Sequence, residues 1–175
     1  MGVLALASCQ YSFGPRPPAI ADPRGVLQFT RFVGPGGYAL AVPVGATIEE
    51  SDAGVRVEYS DESIIDGALV MELEVIEAPE ASSAQQLLMT LTADASAASP
   101  IESVPDTSVD GAMRSYAGPP GGICSETRLL HAAFLVGTRG YSLIIRSDAP
   151  DRCDAAAIPQ AEPILQSFAA PAGAP

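Results

Sequence analysis

The sequence predicts one α+β domain in which an antiparallel sheet carries two packed helices. Three observations carry that expectation. Gly54 to Tyr59 and Ala68 to Ile76 alternate apolar and polar residues, as half-buried strands do. A run from Ser82 or Ser83 through Ala95 places Ala84, Leu87, Leu88, Leu91 and Ala95 at helical spacing. Two long apolar runs, Glu126 to Val136 and Tyr141 to Asp148, flank Gly137-Thr138-Arg139-Gly140, a connection with glycine at both ends.

Taken in order, Val26 to Val33 and Tyr38 to Val42 are strand-like and surround Gly34-Pro35-Gly36-Gly37. This is turn chemistry with no helix behind it, and so a hairpin instead of a phosphate loop. Thr47 to Ser51 comes next, followed by the two alternating runs. In the second of these, Leu69, Met71, Leu73 and Val75 share a face, while Glu72 and Glu74 lie away from it, so one side of the sheet faces water. The amphipathic helix follows, then a polar stretch from Ser96 to Asp106 and a strand near Met113 to Ala117. Gly118-Pro119-Pro120-Gly121-Gly122 breaks the chain before the long hairpin. Asp154 caps a final helix with Ile158, Ala161, Leu165 and Phe168 on one face, and Pro159 and Pro163 restrict it to a late start or a kink.

At 175 residues the chain suits one domain with a real core. Hydrophobic residues at 47% against 17% charged residues keep it out of the disordered class. A net charge of -12 argues against nucleic acid, whose affinity depends on cationic side chains. The acidity suits solubility or a basic protein partner, whose encounter carboxylates would steer. All nine basic residues are Arg, which we read as compositional bias, since no Arg cluster occurs in the sequence.

The run Met1 to Cys9 is apolar and ends in Leu6-Ala7-Ser8-Cys9, which resembles the bacterial lipobox, where a cysteine is lipidated and becomes the new N-terminus. Residues 1–8 then read as a signal-peptide remnant, shorter than an export signal and without its basic residues. Residues 9–25 read as the lipidated cysteine and a proline-rich tether holding Pro15, Pro17, Pro18 and Pro23. Residues 26–169 form the folded domain and 170–175 a disordered tail. The expected location is the cell envelope, with the lipid as membrane anchor and the domain facing the periplasm or the exterior.

Export would let Cys124 and Cys153 pair. Centring the last hairpin between Thr138 and Arg139 sets Cys124 opposite Cys153, and opposed residues have Cα atoms about 4.5–5.5 Å apart, within reach of a disulfide. The same register sets His131 opposite Arg146, with Ser142 and Asp148 on that face, so His131, Ser142, Arg146 and Asp148 form a candidate binding patch. Ala132, Phe134 and Val136 with Tyr141, Leu143 and Ile145 make the core face.

His131, the single histidine, limits any nucleophilic mechanism to one base, and no catalytic motif accompanies it. Glu49-Glu50-Ser51-Asp52 and Asp61-Glu62 with Asp66 lack EF-hand spacing and read as turn chemistry. Zinc spacing, a P-loop and a dinucleotide fingerprint are missing from the sequence, so no metal or cofactor is expected.

Three local pieces, Tyr38-Ala-Leu-Ala-Val-Pro43, Val136-Gly-Thr-Arg-Gly-Tyr141 and Ile164-Leu-Gln-Ser-Phe168, resemble the PsbP-like superfamily, which includes the bacterial DcrB-type lipoproteins. The resemblance spans Val26 to Phe168 and depends on topology more than on invariant residues. It implies an α/β/α-type sandwich on an antiparallel sheet and members that bind or assist other proteins. No catalytic residues carry over from it. The expected function is that of a non-enzymatic exported lipoprotein that binds a protein partner, with an immunity protein against a secreted antibacterial effector as one version. An envelope assembly or transport accessory role and a small hydrolase using His131 are the alternatives.

Overall fold

The computed structural model describes residues 21–22, 25–60, 68–118, 127–147 and 161–171. Its strands are β1 (Ala21–Asp22), β2 (Gly25–Val26), β3 (Phe29–Val33), β4 (Ala39–Pro43), β5 (Thr47–Ser51), β6 (Gly54–Ser60), β7 (Ala68–Glu77), β8 (Glu102–Ser103), β9 (Asp110–Gly118), β10 (Thr127–Val136) and β11 (Arg139–Ser147). The helices are α1 (Ala84–Leu91) and α2 (Ala161–Gln166). Seven strands form one antiparallel sheet in the order β5-β6-β7-β11-β10-β9-β8, while β1 pairs with β2 and β3 with β4.

The molecule is therefore mostly β, and the expectation of an α+β domain, or an α/β/α-type sandwich with two substantial helices, is corrected. The reason lies at the helix ends. Ser83 caps α1 by accepting from the Gln86 amide at 3.2 Å, and the Gln86 side chain accepts from the Ser82 amide at 2.9 Å, close to a capping box. The helix stops at Leu91, short of the expected Ala95. The Thr92 hydroxyl donates to the Leu88 carbonyl at 2.7 Å, and no large apolar side chain follows it to hold another turn against the sheet. In α2, Pro163 sits in the first turn, where a missing amide hydrogen costs least, and six residues remain.

One sheet face buries Val55, Val57, Leu73, Met71, Leu143, Ile145, Ala132 and Phe134 beneath the β3–β4 hairpin and α2. The chain after α2 is stitched to the hairpin. The Ala41 amide donates to Ser167 Oγ at 2.7 Å, and Ala39 and Ala169 exchange backbone hydrogen bonds, each of 2.9 Å. Phe168 stacks on Phe134 with centroids 4.1 Å apart and lies 5.1 Å from Tyr141, and Tyr38 meets Tyr141 edge-on at 5.7 Å. The opposite face is covered over β9, β10 and β11 by α1, through Ala84, Leu87 and Leu88 against Ala112 and Ala133.

The long hairpin forms, but its turn is Gly137-Thr138 alone. Gly137 has φ +61° and Thr138 a negative φ, the pattern of a II′ turn, so Val136 faces Arg139 and His131 faces Ile144. The expected register is wrong by two residues, and the opposition of His131 to Arg146 does not hold. Cys124 and Cys153, with Cys9, lie outside the described residues. Gly140, expected in the turn, is a strand residue where α1 presses on the sheet, and a Cβ there would meet Leu87 Cδ2 at 2.6 Å.

Two glycines give a graded test of packing. A Cβ at Gly54 would sit 1.9 Å from the Leu73 carbonyl oxygen, a backbone atom held in the ladder, whereas at Gly140 the obstruction is a rotatable methyl. Gly54→Ala should destabilise by about 3 kcal/mol and Gly140→Ala by roughly 1 kcal/mol. Urea denaturation monitored by circular dichroism reads both, and an inverted order would contradict the packing.

Candidate functional site

Successive residues of a strand point to opposite faces, so register decides which polar groups meet. On the face that α1 half covers, one row runs Arg56, Glu72, Ile144, His131, Arg114 across β6, β7, β11, β10 and β9. The neighbouring row contains Gly54, Glu74, Ser142, Ala133 and Ala112. Of the expected patch, His131, Ser142 and Arg146 are all on this face. Asp148 lies outside the described residues.

His131 and Ser142 are diagonal neighbours, and His131 Nε2 lies 2.8 Å from Ser142 Oγ. The other ring nitrogen, Nδ1, lies 3.3 Å from the Tyr116 hydroxyl, which comes from β9. Both His131 and Ser142 are buried, with 3% and 4% of their surface exposed. A neutral imidazole has one donor and one acceptor nitrogen, and hydroxyls serve either role, so the Tyr116–His131–Ser142 chain is satisfied with no charge. Burial lowers the His131 pKa to about 4 and raises that of Tyr116. A base at Nε2 and a hydroxyl within reach is the geometry of an activated serine. Here, however, Ser142 lies in mid-strand, nearly sealed from solvent, and the chain reads better as a polar tie between β9, β10 and β11.

The arginines around it are used differently. Arg114, directly opposite His131, donates from Nε and Nη2 to the Ser99 carbonyl at 3.0 and 2.6 Å and from Nη1 to Thr92 Oγ1 at 3.2 Å, pinning the loop after α1. Arg146 is diagonal to His131, and its Nε is buried without a hydrogen-bond partner. Register arithmetic missed Tyr116 and Arg114. The strand near Met113 to Ala117 was legible, but residues 119–126 separate it from β10, so no short hairpin signal in the sequence fixed its pairing.

The second polar cluster lies where α1 leaves the sheet open. Glu49 on β5, Arg56 and Glu58 on β6, and Glu72 and Glu74 on β7 share one face. Arg56 Nη1 donates to Glu72 Oε1, and Nη2 donates to Glu58 Oε2 at 3.2 Å. The hydrogen bond to Glu58 and the field of Glu72 and Glu49 raise the Arg56 pKa. Gly45, Thr47, Glu49, Arg56, Glu58 and Ser60 line a recess of about 290 Å³ beside this cluster. Glu49 and Glu50, adjacent on an edge strand, point to opposite faces and cannot share one cation; Asp61, Glu62 and Asp66 lie outside the described residues. Among the described residues, no three His, Cys, Asp or Glu side chains are grouped as a metal ion requires, and no helix is long and apolar enough to cross a membrane.

No family model matches the chain, and no curated protein matches it. Function is therefore read from the residues themselves.

The buried histidine makes stability depend on pH. Its pKa is depressed from 6.5 to about 4, so the unfolded chain binds the extra proton first. The neutral-histidine contribution is complete above pH 6.5 and is lost as pH falls towards 4, by roughly 3 kcal/mol at 1.36 kcal/mol per unit. Subtracting the unfolding free energies of His131→Gln from those of the native chain between pH 7 and about 4 should isolate this slope from the carboxylates. A flat difference would remove the buried neutral histidine.

Proposed function

We propose that the protein is a non-enzymatic binding protein of the cell envelope that engages a basic protein partner through the open acidic half of its sheet. One observation carries this reading. Glu49, Glu58, Glu72 and Glu74 stand on one sheet face with Arg56 as the one cation on β5, β6 and β7, Arg146 lies on the neighbouring β11, and α1 packs elsewhere on that face. Carboxylates held on a rigid ladder steer a basic surface and fix its orientation. The lipobox-like Leu6-Ala7-Ser8-Cys9 supports anchoring by a lipid. An immunity protein neutralising a secreted effector is the concrete form we favour over an accessory role in envelope assembly or transport, because inhibition needs only a complementary surface. The hydrolase reading has the His131–Ser142 contact in its favour and the burial of both groups against it.

Affinity capture from the protein's own cells tests the partner. The native chain should retain a basic protein at low salt, where the Debye length exceeds about 10 Å, and release it near 1 M salt. The Glu49→Gln, Glu58→Gln, Glu74→Gln variant should retain about one-tenth as much. Capture of a partner indifferent to salt and to these substitutions would overturn the reading. For the anchor, labelled palmitate should enter the native chain and not Cys9→Ala, and equal labelling of both would remove the lipid from Cys9.

A further inference from the structure

The seven-stranded sheet ends on one side in β8, only two residues long, and on the other in β5, five residues long and exposed at every position. An edge strand directs the N–H and C=O groups of alternate residues outward, where they can template another strand. Among the described residues none pairs with the outer side of β5.

We infer that β5 is a docking edge that accepts an extended, basic segment of the partner as an eighth strand. This deepens the function proposed above and rests on it. The side chains of an added strand would alternate between the two faces of the sheet. On one face they would stand beside Thr47, Glu49 and Ser51, at the rim of the recess lined by Arg56 and Glu58. There Glu58 and Glu72 accept hydrogen bonds from Arg56, while the Glu49 carboxylate acts on Arg56 through its field and makes no hydrogen bond to a described residue. A guanidinium on the incoming strand fits Glu49, since cross-strand neighbours lie about 4.5–5.5 Å apart and a guanidinium can hold a carboxylate through two parallel bonds. On the other face the added strand would meet Ile48, which is 37% exposed, and Glu50. The matching occupant alternates cationic and apolar residues.

The same charges select against the commonest wrong occupant. A second copy docked edge to edge would bring Glu49 and Glu50 against their own kind in a chain of net charge -12. Acidic edges suppress self-pairing and leave basic strands admissible.

The probe is a capped peptide of alternating Arg and Val, titrated by fluorescence anisotropy at low salt, with an alternating Glu and Val peptide as control. The Arg peptide should bind, slow hydrogen exchange at residues 47–51 and lose about tenfold in affinity against Glu49→Gln, Glu58→Gln. The thermal melt of that variant should match the native chain, because both side chains are exposed. One of two peptides N-methylated at alternate amides should also lose about tenfold, because it keeps the charge but not the ladder bonds. Binding by both methylated peptides at full affinity, or exchange at 47–51 left unchanged, sinks the edge while leaving a basic partner at some other surface standing. Failure of the Arg peptide to bind also sinks the edge, and the capture experiment then decides the partner reading alone. Slowed exchange at 47–51 that grows with protein concentration in the absence of peptide would assign the edge to a second copy and overturn the proposal.

Discussion

The packing of Phe168 against Phe134, Tyr141 and Tyr38 is the contact on which the rest of the fold depends. The sheet alone leaves an apolar face open, and the β3–β4 hairpin alone is too small to persist in water. Phe168 touches rings from β10, from β11 and from the hairpin side at once. Its neighbours Ser167 and Ala169 hydrogen-bond to Ala41 and Ala39, the first through its hydroxyl and the second through backbone, so the ring is held on both sides. Aromatic pairs of this kind add about 0.5–1.5 kcal/mol beyond the area they bury. They tie the two layers together at the centre of one shared core.

Most of the strands and the identity of the core face were legible in the sequence, and the long hairpin shows why. Its turn was misplaced, which slid the register by two residues, yet Ala132, Phe134, Leu143 and Ile145 are all buried as expected. Side chains repeat every two residues, so a slip of two keeps every face and changes every partner. Face is thus robust to sequence reasoning, and pairing is not. The misreading came from treating Gly140 as turn chemistry, when its lack of a side chain serves the approach of α1. The helices were overestimated because spacing alone does not reveal where lateral support ends: Leu91 continues the pattern but is 37% exposed.

The candidate site was legible by residue but not by arrangement. His131 and Ser142 do meet, though as diagonal neighbours and together with Tyr116, which no local pattern could connect to them. The charges divide along similar lines. Arg56 and Arg114 are consumed by internal hydrogen bonds, to Glu58 and Glu72 in one case and to Ser99 and Thr92 in the other. Carboxylates such as Glu49, Glu50 and Glu74 stay in solvent.

The stitch between Ala41 and Ser167 joins residues 126 positions apart. A hairpin made early in synthesis therefore lacks this partner until the region around α2 has left the ribosome, and the loop-closure cost of that delay slows folding. Such a late clasp acts as a timer, postponing the closure of the apolar face until nearly the whole domain is available to close at once.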